Sequence, residues 1–199
     1  MHTETPTYTA FLGNRRLATG TLPEVATRAK QEHEIGSAAL LVFADADASA
    51  VELDLRGSLD EVLARLPHVD SEYPLETAEE EAAEAPRGPG RPKLGVVARE
   101  VTLLPRHWDW LGRQTGGASV VLRKLVEAAR KQSADLDRVR EAREATYRFT
   151  VAMAGNQPGF EEATRALFAG DGPAFTEHSV SWPLDLRDYA YQLAGPAFD

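Results

Sequence analysis

The run Pro86-Arg87-Gly88-Pro89-Gly90-Arg91-Pro92-Lys93 cannot continue any helix. Proline fixes φ and donates no backbone hydrogen bond, and glycine gives up the most conformational freedom on ordering. Immediately before it, Glu79-Glu80-Glu81 and Glu84 stand among alanines, and like charges at that density extend a chain. Residues 67–95 therefore read as a linker, acidic first and then rich in Pro, Gly and Arg. It divides the 199 residues into a small domain over 1–66 and a region over 96–199.

Charge segregates along the same division. Residues 1–86 hold 6 Lys+Arg against 17 Asp+Glu, a net −11; residues 87–131 hold 10 against 3, a net +7; residues 132–199 hold 6 against 11, a net −5. The overall −9 thus conceals a basic centre between two acidic arms. Screening over roughly 8–10 Å keeps the arms from cancelling that centre at a distance. A positive block of this kind attracts polyanions.

The first domain reads as ββαββα, an α+β unit. Tyr8 to Leu12 and Arg16 to Thr19 are short strands around Gly13-Asn14. Thr21 and Glu24 have capping-box spacing, with Pro23 in the first turn of a helix reaching about Glu34. Ala38 to Phe43 is a buried strand, and Val51, Leu53 and Leu55 alternate with Glu52 and Asp54 as a half-wet one. Ser58 and Glu61 open a second capped helix through Leu66.

Beyond the linker, Val97 to Leu104 reads as a strand stopped by Pro105, which itself opens a short helix carrying Trp108 and Leu111. Trp108 is expected in the core and Trp110 on the surface. Thr115-Gly116-Gly117-Ala118 breaks that helix. Ser119 is expected to cap the next, with Leu122, Leu125, Val126 and Ala129 as its core stripe. A separate helix follows from Ala134 to about Ala154, then shorter ones near 160–168, 173–178 and 184–193.

Strand, proline, short helix, glycine turn and longer helix, in REVTLLPRHWDWLGRQTGGASVVLRKLVEAARK, resemble the ribbon-helix-helix family. The Leu104-Pro105 junction and Gly117-Ala118-Ser119 ahead of Leu122-Arg123 carry the resemblance. It implies that two chains pair their strands into a ribbon entering the major groove of double-stranded DNA, hence a homodimer. Arg99 and Thr102 are then the ribbon residues. Gly117, Ala118, Ser119, Arg123 and Lys124 become the phosphate anchors at a helix N-terminus, whose free amides and dipole favour anions. Gly90-Arg91-Pro92-Lys93 resembles the core of an AT-hook, a minor-groove arm, although position 89 is Pro where that motif has Arg. Arg87, Arg91 and Lys93 are its candidate contacts. Over nearly the whole chain, VELDLRGS, GRPKLGVVAREVTLLPRHWDWL, GGASVVLRKLVEAARK and WPLDLRDYAYQLA resemble the bacterial family called domain of unknown function 2239.

The resulting expectation is a DNA-binding protein, a transcriptional regulator, in the cytoplasm. The competing expectation is an antitoxin-like adaptor that meets a protein partner through its acidic regions. No cofactor, metal or membrane is expected. The chain has no cysteine, no apolar run of membrane-spanning length and no signal-like start. Its five histidines stand apart, and no Walker, GxGxxG or GxSxG pattern occurs, so an enzyme is not expected.

Overall fold

A two-residue turn at Gly13-Asn14 joins the first strands, and Gly13 takes the left-handed φ of 57° that such a turn requires. The computed structural model describes residues 5–33, 39–67 and 99–198. Its elements are β1 (Tyr8–Leu12), β2 (Arg15–Gly20), α1 (Leu22–His33), β3 (Leu40–Ala44), α2 (Leu59–Arg65), α3 (Pro105–Gly112), α4 (Gly117–Ala154), α5 (Phe160–Ala169), α6 (Gly172–Ser179) and α7 (Leu184–Ala194), with a 3-10 turn over Gly195–Ala197. This is a mixed α+β chain, mostly helical. Packing divides it into one unit over residues 1–69 and 133–199, and a second over 70–132.

In the first unit, β1 lies between β2 and β3 in an antiparallel sheet of order β2-β1-β3. Successive residues of a strand face opposite sides, and here each side has its own cover. Ala10 and Val42 are paired on one face and pack with Val25 of α1. Phe11 and Phe43 turn to the other face and meet Phe149 of α4 and Tyr189 of α7. The four rings form a set of edge-on and tilted contacts with centroids 4.7–6.2 Å apart, the favoured geometry for aromatic quadrupoles. Helices α5 to α7 continue that core through Leu167, Phe175 and Leu186, with Trp182 from the turn between α6 and α7. Trp182 donates its indole N–H to the Pro158 carbonyl at 2.9 Å. At Gly159, φ is 77° and a side chain would collide with the His178 carbonyl, so glycine is required.

A partly buried polar network ties the sheet to α7. Thr9 donates its hydroxyl to Asp45 at 2.8 Å, and Tyr189 donates to the same carboxylate oxygen at 2.7 Å. Burial first, and the bond to Asp45 second, push the Tyr189 phenol well above its ordinary pKa, so it remains a donor. Asp185 at the start of α7 accepts the Arg16 backbone N–H at 2.7 Å, and the Arg16 guanidinium lies 5.4 Å from the Tyr189 ring centre.

One helix start is capped in full as its spacing implies, and a second only in part. Ser58 accepts the Glu61 N–H at 3.3 Å while Glu61 accepts the Ser58 N–H at 2.7 Å. At α1, Glu24 accepts both the N–H and the hydroxyl of Thr21, each at 2.8 Å, so the threonine hydroxyl donates and does not cap.

Three expected elements differ. No strand forms over Val51–Leu55; the pairing ends at an isolated bridge between Phe43 and Ala50. The Arg56 backbone and guanidinium turn back onto Asp54 at 2.8–3.1 Å, and Gly57 takes a φ of 85°, which curls this stretch away from the sheet. The ββαββα order is therefore ββαβα among the described residues. No strand forms over 99–104 either. Among the described residues these six have no ladder partner, and a lone strand leaves its backbone groups unpaired. Finally, the helices expected at 119–131 and 134–154 are one helix of 38 residues, because Gln132-Ser133 contains nothing that breaks a helix.

Phe149 is fully buried at the centre of the ring cluster. Phe149→Ala is expected to cost roughly 3–5 kcal/mol in urea denaturation; a loss below 1 kcal/mol, on the order of a surface substitution, would remove it from the core. The capping carboxylates give a pH signature. Backbone hydrogen bonds first, and side-chain bonds second, hold Glu24 and Glu61 below their ordinary value of 4.5. A lowered folded-state pKa contributes stability that is present above the unfolded value and lost as pH falls through the folded one. The double variant Glu24→Gln/Glu61→Gln should thus lose less thermal stability than the parent when pH is lowered from about 6 to about 3. Parallel losses would refute the assignment.

Candidate nucleic-acid interface

Pro105 starts α3 at the first helical position, where its missing N–H costs nothing, and the Leu104 carbonyl accepts from His107 at 2.8 Å. The helix ends at Arg113. Gly116 and Gly117 then take φ values of 94° and 75°, which only glycine adopts readily, and the chain turns into α4. Between 99 and 132, Leu111 is the buried apolar side chain. It forms the floor of an apolar groove of about 260 Å³ lined by Leu103, His107, Trp110, Leu122 and Leu125.

The expected core stripe of this part of α4 is largely on the surface. Leu125 is 49% and Val126 57% exposed, Ala129 is exposed, and Leu122 is half-buried. Leu122 and Leu125 share a groove with residues of α3, but among the described residues the stripe is not enclosed, so it does not form the expected core. Trp108, expected inside, is 44% exposed, since α3 has one buried position and Leu111 holds it. Trp110 is on the surface as expected, at 45%.

The site residues read from the sequence fall into three groups. Arg87, Arg91 and Lys93, with the AT-hook-like segment, lie outside the described residues. Arg99 and Thr102 are exposed but not in a strand, so among the described residues they form no ribbon. Gly117, Ala118, Ser119, Arg123 and Lys124 come together in the first two turns of α4. Ser119 is inside the helix, which begins at Gly117, and is not its cap. The opening amides of the helix carry no intrahelical bond by geometry, and the dipole adds partial positive charge there.

Cation pairing separates this unit from the other. Arg99, Arg106, Arg113, Arg123, Lys124 and Lys131 are all exposed, and none of them meets a carboxylate among the described residues. Arg130 alone in this stretch is paired, with Glu127 at 3.2 Å. In the first unit, by contrast, Arg140 meets Asp137, Glu141 and Glu144, and Arg148 meets Asp47. Residues 123 and 130, and 124 and 131, are seven apart, so they form two parallel cationic rows along α4. Arg106 and Arg113 were missed as individual sites. Their signal was present, since both stand one helical turn from Trp110.

A family model described as an uncharacterized protein conserved in bacteria, domain of unknown function 2239, matches residues 7–194, and the chain belongs to that family. No curated protein and no solved structure matches the chain. No helix among the described residues is long and apolar enough to cross a membrane.

The exposure of α4 yields a direct test. Leu125→Ala should cost less than about 1 kcal/mol in urea denaturation at low protein concentration, the range of surface substitutions. A cost of about 2–5 kcal/mol there would place Leu125 in an interior.

Proposed function

We propose that this member of the domain of unknown function 2239 family binds nucleic acid through the basic unit containing α3 and the start of α4. The carrying observation is the set of exposed cations without carboxylate partners at Arg99, Arg106, Arg113, Arg123, Lys124 and Lys131. Ion pairing would have spent their charge within the protein; left free, they are available to phosphates, which release condensed counterions on binding. The Gly116-Gly117 turn opens α4, whose first amides are free to meet an anion, and Arg123 and Lys124 follow about two turns on.

Within this reading, double-stranded DNA is bound mainly through its backbone, as by a transcriptional regulator. The ribbon-helix-helix-like order of the sequence and the AT-hook-like arm at Arg87, Arg91 and Lys93 supply the finer version, in which a homodimer forms the ribbon that places Arg99 and Thr102. Phosphate contacts position a protein but carry no sequence information, so base reading depends on that ribbon.

A second reading is favoured by a specific observation. Val101, Leu104, Trp108, Trp110, Leu125 and Val126 are all about half exposed. A unit whose described part buries little is suited to a protein contact, either a second copy or an adaptor's partner.

Equilibrium binding to duplex DNA across a salt series separates the two. A dimer neutralising roughly 4–8 phosphates should give a log–log slope near about −4 to −7. The variant Arg123→Glu/Lys124→Glu should flatten that slope, because both residues are exposed and their loss leaves the fold intact. An unchanged slope would remove them from the interface, and no binding at low salt would leave the protein-contact reading.

A further inference from the structure

We infer that the face of α3 carrying Trp110 stacks an unpaired base of single-stranded nucleic acid, with Arg106 and Arg113 on the adjoining phosphates. This deepens the nucleic-acid reading above and rests on it.

On a helix, positions four before and three after a residue lie on its own side. Arg106 and Arg113 hold those two places about Trp110, and Arg113 continues the helical path as the cap at φ −86° and ψ −6°. All three are exposed. Among the described residues no aromatic ring stacks on Trp110, and the cation–π pair is Arg16 with Tyr189, so the indole face is not occupied by either neighbouring guanidinium. Beside the indole lies the apolar groove floored by Leu111 and walled by Leu122 and Leu125.

A half-exposed indole beside an apolar groove, with a cation free of carboxylate partners one turn to either side, matches a base flanked by two phosphates. An apolar protein surface would cover the indole but leave both guanidiniums unmatched, whereas a nucleic acid satisfies both. In a duplex the base faces are hidden in the stack, and reaching one costs a few kcal/mol of unstacking. A single strand offers them without that cost. Stacking on an aromatic side chain is also tolerant of base identity.

The experiment uses the full chain carrying Trp108→Phe, so that Trp110 is the exposed indole; Trp182 is buried and contributes a constant background. Oligothymidylate, oligouridylate and a mixed-sequence duplex of equal length are titrated while tryptophan emission is followed. The single strands should quench emission and bind at least about tenfold tighter than the duplex, which has the unstacking cost to meet. Trp110→Ala should lose roughly 5- to 150-fold in single-strand affinity, the contribution of one base stack, while Trp110→Phe retains most of it. Equal affinity for the two single strands assigns the site to unpaired bases whatever the sugar, and a preference identifies DNA or RNA as the source. Duplex binding that equals single-strand binding, without quenching and unaffected by Trp110→Ala, overturns this inference and leaves the nucleic-acid reading standing. Absence of binding to all three probes overturns both.

Discussion

The first unit depends on what happens at Asp45. One carboxylate oxygen accepts hydroxyls from Thr9 on the central strand and Tyr189 on the penultimate segment of the chain. Placed just after β3, it gives the largely sheltered Tyr189 hydroxyl an acceptor and joins it to Thr9, which also meets Thr19 at 3.0 Å. Tyr189 needs that acceptor in order to be buried, and its ring in turn completes the packing of Phe11, Phe43 and Phe149. The hydroxyl end fixes where the ring sits, and the ring fixes how α7 lies against the sheet. Ring packing and hydrogen bonding thus act on the same side chain.

Much of the first unit was legible because its signals are local. The Gly13-Asn14 turn, the Ser58–Glu61 capping box and the apolar run at β3 each depend on residues a few positions apart, and each appears in the structure. Val51, Leu53 and Leu55 failed for an instructive reason. Alternation states which side chains prefer shelter, but a strand also needs a neighbour for its backbone. Here Asp54 and Arg56 take up one another instead. The same lesson applies to Arg99–Leu104. The partnership of Thr9, Asp45 and Tyr189 was illegible, since nothing in a hydroxyl or carboxylate announces an acceptor 144 positions away.

In the basic unit, the sequence was a better guide to charge than to burial. Counting charges identified the block around Arg106, Arg113, Arg123 and Lys124, and the structure leaves those side chains exposed. Helical periodicity at Leu122, Leu125, Val126 and Ala129 pointed to a core that the described residues do not form, since periodicity reports that a face wants cover, not that cover exists. Trp108 and Trp110 flank Leu111 on α3, and a helix of two turns offers its floor to one of the three. Large side chains in a small unit are pushed outward for want of interior volume.

The first unit is assembled from two stretches separated by residues 70–132, and this sets a timetable for synthesis. Phe11 and Phe43 leave the ribosome early, joined in a sheet that α1 can cover on one face alone. The rings that cover the other face, Phe149 and Tyr189, are translated last. At about 5–20 residues per second, the interval between Phe43 and Tyr189 is roughly 7–30 s. Until then the aromatic face of the sheet lacks the side chains that cover it in the folded chain. A chain built in this order completes the core of its first unit only when its last helices arrive.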